Sequence, residues 1–264
     1  SSEAALDHLL RACVAEIDQH LAVFMDSDDE SGPHKTRVAL RRLTTVLDGF
    51  RPLFRRAVWR PLRAEAKAMF RELGRVRDAQ VLLSGLEDET RRAKLAADLV
   101  PLRDKVRRRL RQRGAVAFGA TLLRRLAAGE LLRAKTRGLA RRAQPVDDLA
   151  ARAMDGLHRS CRALGHDLSA LSVTDLHEFR KRMKSLRYLA EFFAPLWQHP
   201  DWPALRRDLQ DLQDALGALN DQANARRRGI EVSQAKADRA MKAAQKLWSR
   251  LAEAPAWWRD RQVS

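Results

Sequence analysis

His177, Arg180, Lys184 and Arg187 sit at spacings that gather an imidazole, an ammonium and two guanidinium groups on one stripe of one helix. At about 100° per residue from His177, Lys184 falls near 340°, Arg180 near 300°, Arg187 near 280° and Tyr188 near 20°. Phe179, Met183, Leu186, Leu189 and Phe193 fall on the opposite arc, so one side packs and the other is cationic. Such a stripe cannot be buried without counterions, because an unpaired buried charge is costly. It faces either water or something negative, and the chemistry on offer is capture of an anion.

The same arrangement occurs earlier. His34, Arg37 and Arg41 stand at i, i+3 and i+7, with Leu40, Leu43, Val46, Leu47 and Phe50 on the other face. An offset of 143 residues maps His34 on His177, Arg37 on Arg180, Arg41 on Lys184 and Phe50 on Phe193, and runs without a gap to Asp78 and Asp221. Register held for 45 residues reads as an internal duplication. The copies are unequal: Thr44 and Thr45 stand where the second has Arg187 and Tyr188, and Arg42 is matched by Ser185. On this count the second half is expected to bind the more strongly.

The elements that must position these stripes read as helices throughout, since no period-two pattern persists. An amphipathic helix over residues 3–25 ends in an acidic stretch with Gly32 and Pro33, where the first stripe helix begins and runs to about Phe54. A helix from about Val58 is expected to stop near Gly74, and another to run from about Val76 to Leu86. An arginine-dense helical stretch, interrupted at Gly114, Gly119 and Gly129, leads to a connection over residues 138–145. Helices from about Val146 to Leu168, across the second stripe, from Trp202 to Leu216 and from Leu219 to Leu251 complete the chain, with Trp257 and Trp258 packing or fraying after them. The expected fold is all-α: two duplicated antiparallel bundles of about four helices, residues 1–137 and 138–264, related by a pseudo-twofold axis with a basic groove or channel between them.

The paired motifs resemble the CHAD family, the conserved-histidine α-helical domains, whose signature helices open on a His-x-x-Arg pattern. The resemblance rests on His34-x-x-Arg37, on His177-x-x-Arg180, and on the Leu-Gly pairs followed by an Asp in LGRVRD at 73–78 and LGALND at 216–221. It covers nearly the whole chain as one domain and implies non-catalytic binding of inorganic polyphosphate, often on polyphosphate granules. Carried over by motif, the phosphate ligands are His34, Arg37 and Arg41 in the first half and His177, Arg180, Lys184 and Arg187 in the second. Arg42, near 80° on its own wheel and off the stripe, Lys181, marginal at about 40°, and Tyr188 complete the set. Arg75 and Arg77 are secondary candidates, and Asp78 and Asp221 are expected to orient basic side chains or cap helices. Phosphate beside His34 or His177 would favour the protonated ring, so binding is expected to strengthen on mild acidification.

The bulk composition agrees with an anionic partner. Over 264 residues, 51 Lys and Arg against 34 Asp and Glu give a formal charge of +17, a field that draws in polyanions. Arginine outnumbers lysine, which suits bidentate phosphate contacts and equally follows from a GC-rich genome. Nonspecific nucleic-acid binding at low salt is the first rival, through Arg107–Arg109, Arg141–Arg142 and residues 226–228. Few aromatic platforms flank these clusters and no reading module is evident. Metal-dependent hydrolysis of phosphoanhydrides is the second rival, but the His166-Asp167 pair lacks spaced partner histidines, and a cation would be repelled by the Arg and Lys beside His34 and His177. No cofactor and no metal are expected. Two cysteines, Cys13 and Cys161, make neither a disulfide framework nor a zinc site. No apolar run suits a membrane span and no signal peptide is evident, so a cytoplasmic location is the expectation. The chain opens on Ser1 rather than Met, which suggests an upstream portion removed or replaced.

Overall fold

The structure, a computed structural model, describes residues 1–197, 200–227 and 232–259. It is helical, with one isolated antiparallel bridge, Phe54 to Leu132, and no strand among the described residues. The chain divides into two units, Ser1–Val146 and Asp147–Ser264.

In the first unit α1 (Ser2–Asp26) and α2 (Ser31–Gly49) pack through the apolar stripes their spacing lays down. Leu6, Leu10, Ile17, Leu21 and Phe24 of α1 and Leu40, Leu43, Val46 and Leu47 of α2 are fully enclosed. The next helix, α3 (Arg56–Ser84), runs unbroken through Gly74, so the expected stop there is corrected. An interior glycine costs a helix about 1 kcal/mol against alanine. That cost is small beside the burial of Leu62, Ala66, Met69, Leu73 and Val76 along the same helix.

Helix α4 (Glu89–Gln112) closes the unit and holds the end of α1. Arg107 Nε donates to the Phe24 carbonyl at 2.9 Å, and Arg103 Nη1 lies 2.7 Å from Asp28. Hydrogen bonds from Arg103 and then Arg107 hold the Asp28 carboxyl below its ordinary range. The arginine density that reads as a phosphate-attracting cluster is therefore partly internal. Two shorter helices follow, α5 (Phe118–Ala127) and α6 (Thr136–Ala143). The second forms where a connection was expected, because Arg142 makes a two-pronged pair with Glu3 of α1 at 2.6 and 2.9 Å.

The second unit holds α7 (Val146–Leu164), α8 (Val173–Trp197), α9 (Trp202–Arg227) and α10 (Gln234–Glu253), then a 3-10 turn, Trp257–Arg259. Gly217, like Gly74, lies inside a continuous helix, and the expected break between Leu216 and Leu219 is corrected for the same reason. The core here is aromatic. Phe179 meets Trp248 edge-on at 5.1 Å, and Trp257 lies 5.4 Å from Trp197 and 5.3 Å from Trp202. Trp258 Nε1 donates to Asp155 at 2.9 Å, so both terminal tryptophans pack rather than fray. No helix among the described residues is long and apolar enough to cross a membrane.

Candidate functional site

Helix α2 buries its apolar face and turns His34, Arg37 and Arg41 the other way, His34 exposed and the two arginines half-buried. What the two arginines meet is α3. The Arg37 guanidinium lies 4.1 Å over the Phe70 ring, and its Nη1 donates to the Phe70 carbonyl at 3.1 Å. Arg41 lies 4.9 Å over the same ring. A Cβ built on Gly74 would stand 2.0 Å from Arg37 Nη1. The glycine therefore makes the seat the guanidinium occupies. Burial pushes the Arg37 pKa down, the Asp78 charge pulls it back up, and Arg77 pushes it down again. The guanidinium stays charged throughout. Phe70, Gly74 and Asp78 follow one another at i, i+4 and i+8, a single stripe of α3.

The second unit repeats the seat in looser form. Arg180 of α8 is half-buried, with Nη2 3.9 Å from the position a Cβ on Gly217 would take. Burial pushes its pKa down, and Asp221 and then Tyr188 pull it up. Its Nε is enclosed with no hydrogen-bond partner. His177 is exposed, its Nδ1 3.1 Å from Asn220 Oδ1 of α9. With the amide oxygen facing the ring, the pair is formed by the tautomer in which Nδ1 donates. Lys184 is half-buried on the same helix.

Several candidate residues take other places. Arg42 is paired with Glu16 of α1 at 3.3 Å and so serves the α1 side of α2. Lys181 pairs with Glu178 at 2.5 Å, whose neighbour Arg182 donates to the Ser160 carbonyl of α7. Arg75 lies 3.6 Å from Glu72, which also holds Arg109 of α4 at 3.4 Å. Tyr188 is buried, with Arg187 5.1 Å over its ring, and supports the cations from behind rather than meeting a ligand in the open. Arg187 itself lies 3.3 Å from Glu191 and donates to Gln210 at 2.5 Å. Asp78 and Asp221 stand inside helices, so they cap nothing; their charges act on Arg37 and Arg180 respectively.

Phe70 and Asn220 are site residues that the motif reading missed. The stripe Phe70, Gly74 and Asp78 could have been found from its i, i+4 spacing once Gly74 was read as helical. Elsewhere, Asp167 accepts from the Ser169 backbone and hydroxyl at 2.9 and 2.6 Å, a local turn. Cys13 and Cys161 are buried, their thiols pushed up to about 12 chiefly by desolvation. Among the described residues no three His, Cys, Asp or Glu side chains gather as metal ligands would.

A helical chain of this length with two arginine seats can be set beside known proteins. Its structure is similar to the crystal structure of the CHAD domain from the plant Ricinus communis, with a TM-score of 0.70 and 21% identity over 97% of this chain and 88% of that one. That likeness bears on the fold. No curated protein matches. The sequence model of the CHAD domain matches residues 8–229, and the chain belongs to the CHAD domain family.

Proposed function

We propose that this protein binds inorganic polyphosphate without catalysing its turnover, each unit offering its own cationic stripe, and that it serves as a targeting or storage module in the cytoplasm or on polyphosphate granules. The observation that carries the reading is the arginine seat. In both units the Arg of the His-x-x-Arg pattern lies against a helical glycine with a carboxylate one turn further on. A guanidinium fixed this way has lost most of its freedom before a ligand arrives, so less entropy remains to be lost on binding. A linear polyanion with a charge at every unit suits a row of such groups, each contact modest and the sum large. Membership of the family supports the same ligand class.

Nucleic acid is the second reading, and one observation weakens it. Of the basic clusters that would hold a backbone, Arg107, Arg109 and Arg142 are turned to internal partners, and residues 228–231 lie outside the described chain.

Titration with long-chain polyphosphate at about physiological salt, beside orthophosphate and single-stranded DNA at matched phosphate, tests the reading. Tight binding of polyphosphate that single-stranded DNA does not displace is the expected result. Equal affinity for the two would move the function to general polyanion binding.

A further inference from the structure

In the second unit the seam between α8 and α9 is closed by its own charges. Arg187 Nη1 donates to Gln210 at 2.5 Å and lies 3.3 Å from Glu191, while the Gln210 amide nitrogen donates to both oxygens of Asp214 at 3.0 and 3.1 Å. Gln210 therefore reaches across from α9 to α8, and the cation of this relay is paired with Glu191 and tied through Gln210 to Asp214.

The four positions at the same offset in the first unit are Thr44, Asp48, Lys67 and Arg71. Thr44 turns its hydroxyl back to the Arg41 carbonyl at 2.9 Å. Asp48 is engaged by Arg63 in a two-pronged pair at 2.6 and 2.7 Å. Lys67 and Arg71 are exposed on α3. Taking Arg63, Phe70 and Gly74 as the positions of α3 that meet α2, Lys67 lies within about 60° of each on the helical wheel, and Arg71 further out on the same side. The seam that ends in a neutral amide and a carboxylate in one unit ends in two exposed cations in the other.

We infer that Lys67 and Arg71 belong to the anion site of the first unit, and that this site, two helices wide, is the stronger of the two for a long polyphosphate chain. The inference rests on the polyphosphate reading and deepens it. It also reverses the expectation drawn from Arg187: that arginine adds a charge to the second stripe, but its charge is already met by Glu191 and Gln210. Along α2 and α3 the anion meets His34, Arg37 and Arg41 on one side and Lys67 and Arg71 on the other, with the Asp78 charge acting on Arg37 and Asp48 paired with Arg63. Adjacent cations on two rigid helices hold successive phosphates of one chain better than isolated phosphate, so the preference is for length.

The test exchanges the two seams in the full chain. Lys67→Gln with Arg71→Asp gives the first unit the residues of the second, and Gln210→Lys with Asp214→Arg does the reverse. All four side chains are exposed, and circular dichroism checks that each variant is folded. Against long-chain polyphosphate the first pair is expected to weaken binding about tenfold or more and to flatten the salt dependence by one to two contacts, at about 0.7 per contact for a single strand. The second pair is expected to tighten binding. Tripolyphosphate should show smaller changes in both. If the first pair binds long chains as the wild type does, Lys67 and Arg71 are outside the site and the inference is overturned. A wild type that fails to bind polyphosphate sinks the functional reading itself, and that result is in hand before either exchange is made.

Discussion

Arg37 and Arg180 have the same histidine three residues before them, the same glycine on the facing helix and the same aspartate beyond it, yet they are held differently. Arg37 is wedged against Gly74 and stacked on Phe70, with a carbonyl accepting from its Nη1. Arg180 has more room at Gly217 and keeps an enclosed Nε without a partner. The position of Phe70 is taken by Gln213, whose amide donates to the Met183 carbonyl at 3.4 Å, and the ring on the helix of the stripe itself, Tyr188, lies under Arg187. What the comparison teaches is that a repeated motif fixes where cations stand along a helix, while the facing helix decides how firmly each is held and how much of its charge remains for a ligand.

The largest expected effect follows from the unequal beds. Arg37→Ala with Arg41→Ala should cost long-chain polyphosphate binding about a hundredfold or more, taking about 1.5–3 kcal/mol for each of two charged hydrogen bonds lost. Arg180→Ala with Lys184→Ala should cost less. Titration of both variants at several salt concentrations makes the comparison, and an equal loss would erase the difference between the units.

The glycines sharpen the comparison further. Gly74→Ala puts a methyl group where Arg37 Nη1 lies, and because that atom ends a flexible chain, the arginine leaves its seat while the helix survives. Binding should fall about tenfold if one charged contact goes. The melting temperature should hold or rise, since alanine favours a helix over glycine by about 1 kcal/mol. Gly217→Ala meets Arg180 only at ordinary contact distance and should leave binding near wild type. Calorimetric melts beside the titrations separate the two effects.

A third expectation concerns stability against pH. His158 lines an apolar pocket with Met154, Leu186, Trp248 and Trp258, and the position at the same offset in the first unit is Ala15. Burial lowers the His158 pKa from its ordinary 6.5, and Arg162 adds to this, while the Leu251 backbone and Asp155 oppose it. The folded state then binds fewer protons than the unfolded one as pH falls through about 6.5, so acidification removes stability. Five of the six tryptophans lie in the second unit, so thermal melts followed by tryptophan fluorescence should show a lower midpoint at pH 5.5 than at 7.5. His158→Gln should lose most of that shift, and an unchanged shift would place the acid sensitivity elsewhere. The smallest effects are expected at Arg42→Ala and Lys181→Ala. Each breaks a partly exposed ion pair worth about 0–1 kcal/mol, and binding should change by less than about twofold.

The helices and the face each presents were legible from spacing, because a 3.6-residue period in apolar residues has few other readings. Leu40, Leu43, Val46 and Leu47 are enclosed where the pattern put them, as are Phe179, Met183, Leu186 and Leu189. Local propensity treats Gly74 and Gly217 as breakers, whereas here the lost propensity is outweighed by packing along α3 and α9. Arg42, Arg75 and Lys181 are candidates through the motif and its surroundings, and each also has an acidic neighbour, Glu16, Glu72 and Glu178, of which the sequence shows only the last two, at i−3.

By itself the sequence determined the all-helical class, the two cationic stripes and their opposite apolar faces, since each follows from the order of side chains around one helix. Only the tertiary structure decided which of those cations are seated against a glycine and which are paired with a carboxylate, because these depend on the helix packed alongside. The approach of Arg37 to Gly74, the stacking on Phe70 and the relay from Arg187 to Asp214 join residues more than twenty positions apart, and no local pattern carries that distance.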